Sequence, residues 1–166
     1  MSVWEAVGTG FDGGFVPLGK DGVGIGVLQP LDEAGARWRV ERCWEVLDAL
    51  GPRAWTTSGA GVEMSTEEFK NKRFVDLAVG EQKMVLLMRA LVGRPPLVLL
   101  DEVWSGMDER MVSAARRYLR EGGGVTDEQG VVVITHWEDE VPWGEEDGVR
   151  RFALDGGVGR VVEPLR

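Results

Sequence analysis

Leu97-Val98-Leu99-Leu100-Asp101-Glu102 opens with four consecutive aliphatic residues and closes on two carboxylates. Pro95-Pro96 bar a helix from entering on the N-terminal side, because proline lacks the amide N–H and disfavours helical geometry in the residue before it. The run therefore reads as a short strand. Its unbroken apolar character predicts burial on both faces, as in a parallel sheet covered by helices. In open parallel sheets, ligands bind beyond the carboxyl ends of the strands. Asp101 and Glu102 fall at that place, and two neighbouring acids there are costly unless a cation or a proton transfer uses them.

Upstream, Leu77-Ala78-Val79-Gly80-Glu81-Gln82 leads into a helical stretch from Lys83 to Val92. Met84, Leu87, Met88 and Leu91 recur there with the 3.6-residue period, and Gly93 with Pro95 supplies the stop. Gly80 thus lands at a helix N-terminus, where unpaired N–H groups and the helix dipole favour an anion. Downstream, Ser105-Gly106-Met107-Asp108 predicts a tight turn with Asp108 as N-cap. The helix that follows carries Met111, Ala114, Ala115, Tyr118 and Leu119 on one side. Val131-Val132-Val133-Ile134-Thr135 reads as a second buried strand, closed by His136, the only histidine. With the two strands parallel, His136 shares a sheet edge with Asp101 and Glu102.

In order and spacing, these segments resemble the C-terminal half of an ATP-binding cassette (ABC) ATPase domain. Leu77 to Gln82 resembles the signature motif in a "GEQ" variant, and Leu97 to Glu102 the Walker B strand with its following glutamate. Ser105 to Asp108 resembles the D-loop, and Thr135-His136 the H-loop. Four motifs in order make a specific signal, and the resemblance covers roughly residues 74–163. Thr135-His136-Trp137-Glu138 and Glu140-Val141-Pro142 are also similar to soluble ABC ATPases of the molybdate-type and photorepair-associated group.

The resemblance implies an α/β, P-loop NTPase-like partial domain: a parallel sheet core, a helical subdomain and a C-terminal β-hairpin. Residues 1–76 would form the helical subdomain region. Residues 77–166 would carry the signature, Walker B, D-loop, H-loop and hairpin. It further implies ATP and Mg2+ as cofactors and a second cassette, identical or different, as partner, because paired cassettes of that family sandwich ATP. On that analogy Asp101 would hold Mg2+ through water, and Glu102 would orient and deprotonate the attacking water. His136 would contact the γ-phosphate. Ala78, Val79, Gly80 and Glu81 would face a nucleotide held by the partner, and Ser105 and Asp108 would link the two sites.

Two departures stand out. Ala78 occupies a position where the family usually has serine, which removes one hydroxyl donor. The Walker A and Q-loop motifs are missing: Ser2 to Gly8 resembles the segment that follows the Q-loop. Gly14-Phe15-Val16-Pro17-Leu18-Gly19-Lys20 does match G-x-x-x-x-G-K. Asp21 nevertheless replaces the Ser or Thr that ligates magnesium, and Gly22, Gly24 and Gly26 make poor helix material, so the match reads as a glycine-rich turn. Two functions follow as expectations. One is an ABC ATPase domain, inactive as a lone chain, whose site needs a Walker A-bearing partner. The alternative is a noncatalytic interaction module or truncated fragment contributing only its signature face.

Composition sets the remaining bounds. With 166 residues, 43% apolar, and seven tryptophans, the chain can bury a core. A formal charge of −9 argues against nonspecific nucleic-acid binding. The lone Cys43 excludes an intrachain disulfide and predicts a buried apolar role in a reducing compartment, the cytoplasm being the expected one. Glu5 and Asp12 break any signal-peptide pattern, and Arg89 and Arg94 interrupt the most apolar region, so no membrane span is expected. Glu33 to Leu50 predicts a long helix with Val40, Cys43, Trp44, Leu47 and Leu50 inward. The basic residues Lys70, Lys72 and Arg73 read as a solvated face. Asp155-Gly156-Gly157 between two β-prone runs predicts a hairpin.

Overall fold

The computed structural model describes residues 1–11, 32–56, 64–121, 123–136 and 140–162. The glycine-rich match at 14–20 lies outside them. Helix α1 spans Val3–Gly8, started by a capping box in which Ser2 and Glu5 bond each other's backbone amides. A short 3₁₀ turn follows. Helix α2 covers Glu33–Leu50, the predicted span, capped by Asp32. Gly51 ends it, and Pro52 opens the single-turn α3, Pro52–Trp55, from the N1 position where a missing N–H does no harm. Helix α4 is Thr66–Asn71, again with a capping box, Ser65 and Glu68.

Helix α5, Val79–Val92, is the central helix: its residues Met84, Val85, Leu87, Met88, Leu91 and Val92 are buried against α1 and α2. Strand β1, Leu97–Asp101, then passes through α6, Glu109–Glu121, to β2, Gly130–Ile134. The two strands are parallel, with Leu97 opposite Gly130 and Asp101 opposite Ile134. Strands β3, Arg151–Asp155, and β4, Val158–Val162, form the expected antiparallel hairpin. Gly156 and Gly157 both adopt positive φ at its tip, 56° and 80°, the backbone a type I′ turn requires. The N-terminus joins the body through a bridge: Val3 N–H donates to the Lys72 carbonyl and Phe74 N–H to that of Met1.

The strand reading of 97–100 holds, with Asp101 added at its end, but the expected burial on both faces does not. Val98 and Leu100 are buried, whereas Leu97 and Leu99 are 53% and 64% exposed, and Val132 and Ile134 on the same face are 45% and 55% exposed. Among the described residues the sheet has two strands, and helices back only one side of it. The basic cluster also differs from expectation at one residue. Lys70 lies 4.4 Å from the ring centre of Trp44, 5.6 Å from that of Trp4, and pairs with Glu67 at 2.8 Å. A lysine stem covers apolar surface while its ammonium sits on aromatic faces, so this position belongs to the packing of α1, α2 and α4. Lys72 and Arg73 are exposed as expected. No described helix is long and apolar enough to cross a membrane.

Candidate functional site

The parallel ladder puts the ends of β1 and β2 side by side, and the ladder continues one rung further because the Glu102 N–H donates to the Ile134 carbonyl at 2.9 Å. Glu102 then turns the chain with φ of +43°, a left-handed value uncommon outside glycine and found preferentially where surroundings hold a residue in place. The turn is held from below. Ser105 N–H donates to the Glu102 carbonyl, Met107 N–H to that of Trp104, and the buried Trp104 indole donates to the Glu140 carbonyl at 2.8 Å.

The sequence placed Glu102 and His136 at one sheet edge, and the structure brings them into contact: His136 Nε2 lies 2.9 Å from Glu102 Oε1. Both remain open to solvent, 77% exposed for the histidine and 53% for the glutamate. A substrate can therefore reach either group. Asp101 is exposed beside them on the strand end. Thr135, the residue before the histidine, donates its hydroxyl to the Glu140 carboxylate, and Arg116 reaches the Val141 carbonyl at 3.3 Å. These contacts tie the chain beyond His136 back to α6 and to the turn after Glu102.

A second group forms at the N-terminus of α5. Ala78 is the N-cap and contributes no side-chain acceptor; the Glu81 carboxylate folds back to accept from the Ala78 N–H at 2.8 Å, one half of a capping box. Gln82 adds a bond from its amide to the Leu77 carbonyl. Gly80 is buried against the 105–108 turn. A Cβ there would sit 2.8 Å from the Gly106 carbonyl oxygen and 2.9 Å from Met111 Sδ. Gly106 itself has φ of +84° and packs against Val79. Asp108 caps α6 as expected, its Oδ1 accepting from the N–H groups of Arg110 and Met111 at 2.9 Å each. Val79, Ser105 and Asp108 are exposed. The start of α5 and the turn at 105–108 thus touch within one chain, a contact that motif spacing alone did not announce.

Sequence reasoning also missed Arg42. It is 2% exposed, paired with Glu45 one turn on, and aimed at the Leu91 carbonyl at 3.4 Å. Its place on the inward side of α2, beside Cys43, was the available signal. Clefts of about 580 and 500 Å3 lie elsewhere, one lined by residues of α2, α3 and α6 including Asp48, Arg53 and Arg117, the other flanking α6 beside Trp143. Neither is lined by Asp101, Glu102 or His136.

The donor set agrees with a magnesium–nucleotide ligand. Magnesium takes one or two protein carboxylates and completes its shell with water and phosphate oxygens. Asp101 is such a carboxylate, exposed and next to a second acid. The described residues hold no group of three or more His, Cys, Asp or Glu that would form an all-protein cage.

No protein-family model matches the chain. It is 38% identical over 96 residues to an uncharacterized ABC transporter ATP-binding protein of Schizosaccharomyces pombe, covering 55% of this chain and 19% of that protein. It is 33% identical over 103 residues to the spermidine/putrescine import ATP-binding protein of Roseobacter denitrificans, covering 57% and 27%. With the glucose import ATP-binding protein of Saccharolobus solfataricus it shares 43% identity over 90 residues, covering 53% and 22%. The chain thus spans about a fifth to a quarter of the length of these curated relatives. Similarity over about half of its residues to several ABC ATP-binding proteins, together with the parallel pairing of β1 and β2, supports a partial ATP-binding cassette ATPase domain.

Proposed function

We propose that this partial domain supplies two faces of ATP-hydrolysing sites: the Glu102–His136 edge and the signature face at 78–81. The observation that carries the reading is the 2.9 Å contact between Glu102 and His136 across the ends of parallel strands. A carboxylate held beside an imidazole, both solvent-open, suits water activation and contact with a phosphate that gains charge. Mg2+–ATP, when bound, supplies the electrophilic phosphorus and neutralises phosphate charge. Within the chain, Asp101 offers the metal-facing carboxylate. Glu102 accepts the proton of the attacking water, and His136 donates to the γ-phosphate. The amides at the start of α5 face the phosphate of a nucleotide held by a partner cassette, and Ser105 and Asp108 border that face.

Phosphoryl transfer rests mainly on positioning and charge neutralisation of the phosphates. The one G-x-x-x-x-G-K match in this chain is followed by Asp21. The lone chain is therefore expected to hydrolyse ATP no faster than background, and a partner cassette bearing Walker A to be stimulated by it. The assay compares ATPase rates for chain, partner and mixture, each with Val79→Glu and Glu102→Gln. Val79 is exposed, so a carboxylate there repels phosphate without the overpacking that any side chain at Gly80 causes. Stimulation lost in Val79→Glu supports the signature role. Turnover by the lone chain that vanishes in Glu102→Gln refutes the dependence on a partner. No stimulation in any mixture leaves the noncatalytic module as the function.

A further inference from the structure

The chain carries a formal charge of −9, yet α6 holds four arginines against two glutamates in its 13 residues. Three of them, Arg116, Arg117 and Arg120, stand within one helical turn of each other and line the cleft of about 500 Å3 beside Trp143. A cleft of that size suits a small ligand or a short stretch of peptide. Arg116 is half-buried and steadied by the Val141 carbonyl at 3.3 Å, a bond that uses one of its five N–H donors. Arg117 is exposed and has no ion-pair partner among the described residues; it also borders the neighbouring cleft, beside Arg53. Arg120 meets acids of the chain itself, Glu146 at 3.9 Å and Asp147 at 4.0 Å. Both distances exceed a hydrogen bond, and the Asp147 carboxylate already accepts from the Gly144 N–H at 2.9 Å. Carboxylates thus reach this arginine wall without saturating it.

We propose that this cleft docks an acidic peptide segment of a partner protein, whose carboxylates take the guanidinium groups in competition with Glu146. Charge complementarity selects the occupant, and the approach of Glu146 and Asp147 to Arg120 shows the chemistry that the wall accepts. A planar guanidinium offers paired N–H groups at the spacing of a carboxylate's two oxygens, which a lysine ammonium does not. Half-buried Trp143 gives an apolar side chain of the peptide a surface to rest on. A nucleic acid fits less well. The chain as a whole repels a polyanion, and Glu121 and Glu146 line the same cleft, where a run of phosphates would meet them. A peptide can set its neutral residues against those two acids. The cleft shares no lining residue with Asp101, Glu102, His136 or the start of α5, so docking here is independent of the reading of the ATP site.

The probe is a blocked synthetic peptide, Gly-Glu-Asp-Leu-Glu-Asp-Gly, titrated into the whole chain and compared with its Gln/Asn counterpart. Backbone NMR locates the binding. The acidic peptide should shift signals at 113–121 and 141–147, and the neutral one should not. The double variant Arg117→Gln, Arg120→Gln should weaken binding at least about tenfold, with the urea midpoint kept because both side chains are exposed. Glu146→Gln should tighten binding by about two- to fivefold, the effect of releasing one surface ion pair. Arg37→Gln removes an exposed charge from α2 outside the cleft and should change the affinity less than about twofold. Absence of shifts in these segments, equal binding of the neutral peptide, or an equal loss in Arg37→Gln overturns the proposal. So does affinity that Glu146→Gln leaves unchanged or lowers. Tighter binding of a single-stranded oligonucleotide at the same residues overturns it in favour of nucleic acid, and self-association abolished by the double variant in favour of a second copy. None of these readouts uses ATP turnover, so a failed ATPase assay leaves the result standing.

Discussion

Gly80→Ala is expected to destabilise the chain, although alanine is the better helix former. The gain is about 1 kcal/mol in a helix interior, and less at the second residue of α5. Against it stands the new Cβ, 2.8 Å from the Gly106 carbonyl oxygen and 2.9 Å from Met111 Sδ. The thioether can swing away. The carbonyl belongs to a turn fixed by the Met107-to-Trp104 bond and by the Asp108 cap, so it yields only if the turn shifts. Overpacking of this kind costs about 1–3 kcal/mol, and the rigid partner places Gly80 toward the upper end. The net loss is therefore about 1–2 kcal/mol. At a urea slope of about 2 kcal/mol per molar, the midpoint falls by about 0.5–1 M. Urea titration followed by tryptophan fluorescence measures it, with Met111→Ala and the double variant alongside. If Met111 is part of the conflict, the double variant loses less than the sum of the singles by at least about 0.5 kcal/mol. A Gly80→Ala midpoint equal to or above that of the parent refutes the packing argument and leaves Gly80 a simple N-terminal glycine.

Burial pushes the Cys43 thiol up to about 12, with Arg39 and Arg42 pulling partly the other way. The unfolded chain then loses this proton first, so stability falls as pH rises from the ordinary thiol range toward 12, by up to about 1.4 kcal/mol per pH unit; Cys43→Ala should lack that component in urea titrations between pH 8 and 10.5, and parallel curves for the two proteins would refute it. Arg94 follows the end of α5 with φ of +46°. Arg94→Gly should leave stability unchanged or raise it by up to about 1 kcal/mol, the relief of left-handed strain exceeding the added chain entropy, and a lower urea midpoint would contradict this.

Long periodic segments were legible because their signals are local. The span of α2, the inward residues of α5 and α6, the Asp108 cap and the Gly156-Gly157 turn all followed from spacing and side-chain chemistry. The Glu102–His136 contact was legible for a different reason: apolar strands that each end in a reactive side chain converge once they pair in parallel. Besides the buried Arg42, three features escaped. The Gly80–Gly106 contact depends on how a helix end meets a turn more than twenty residues later, and no periodicity encodes it. Lys70 looked like solvated charge because charge was read from sequence, whereas its neighbours Trp4 and Trp44 come from two other helices. The half-covered sheet escaped because an apolar strand states what it needs as cover, not which polypeptide supplies it.

Gln129 donates its side-chain amide to the Pro95 carbonyl at 2.7 Å, and Gly130 N–H bonds the Pro96 carbonyl at 2.9 Å. These two bonds pin the starts of β1 and β2 to each other before either strand has begun to pair. Strands advance about 3.3 Å per residue, so the pin sits roughly 16 Å from the carboxyl ends. It acts as an alignment gauge. Sliding one strand by a single residue would turn every side chain to the opposite face, and Glu102 and His136 would part company although neither had been altered. The register that brings the carboxylate and the imidazole together is thus held at the opposite end of the sheet as well, by a glutamine and two prolines that never approach them.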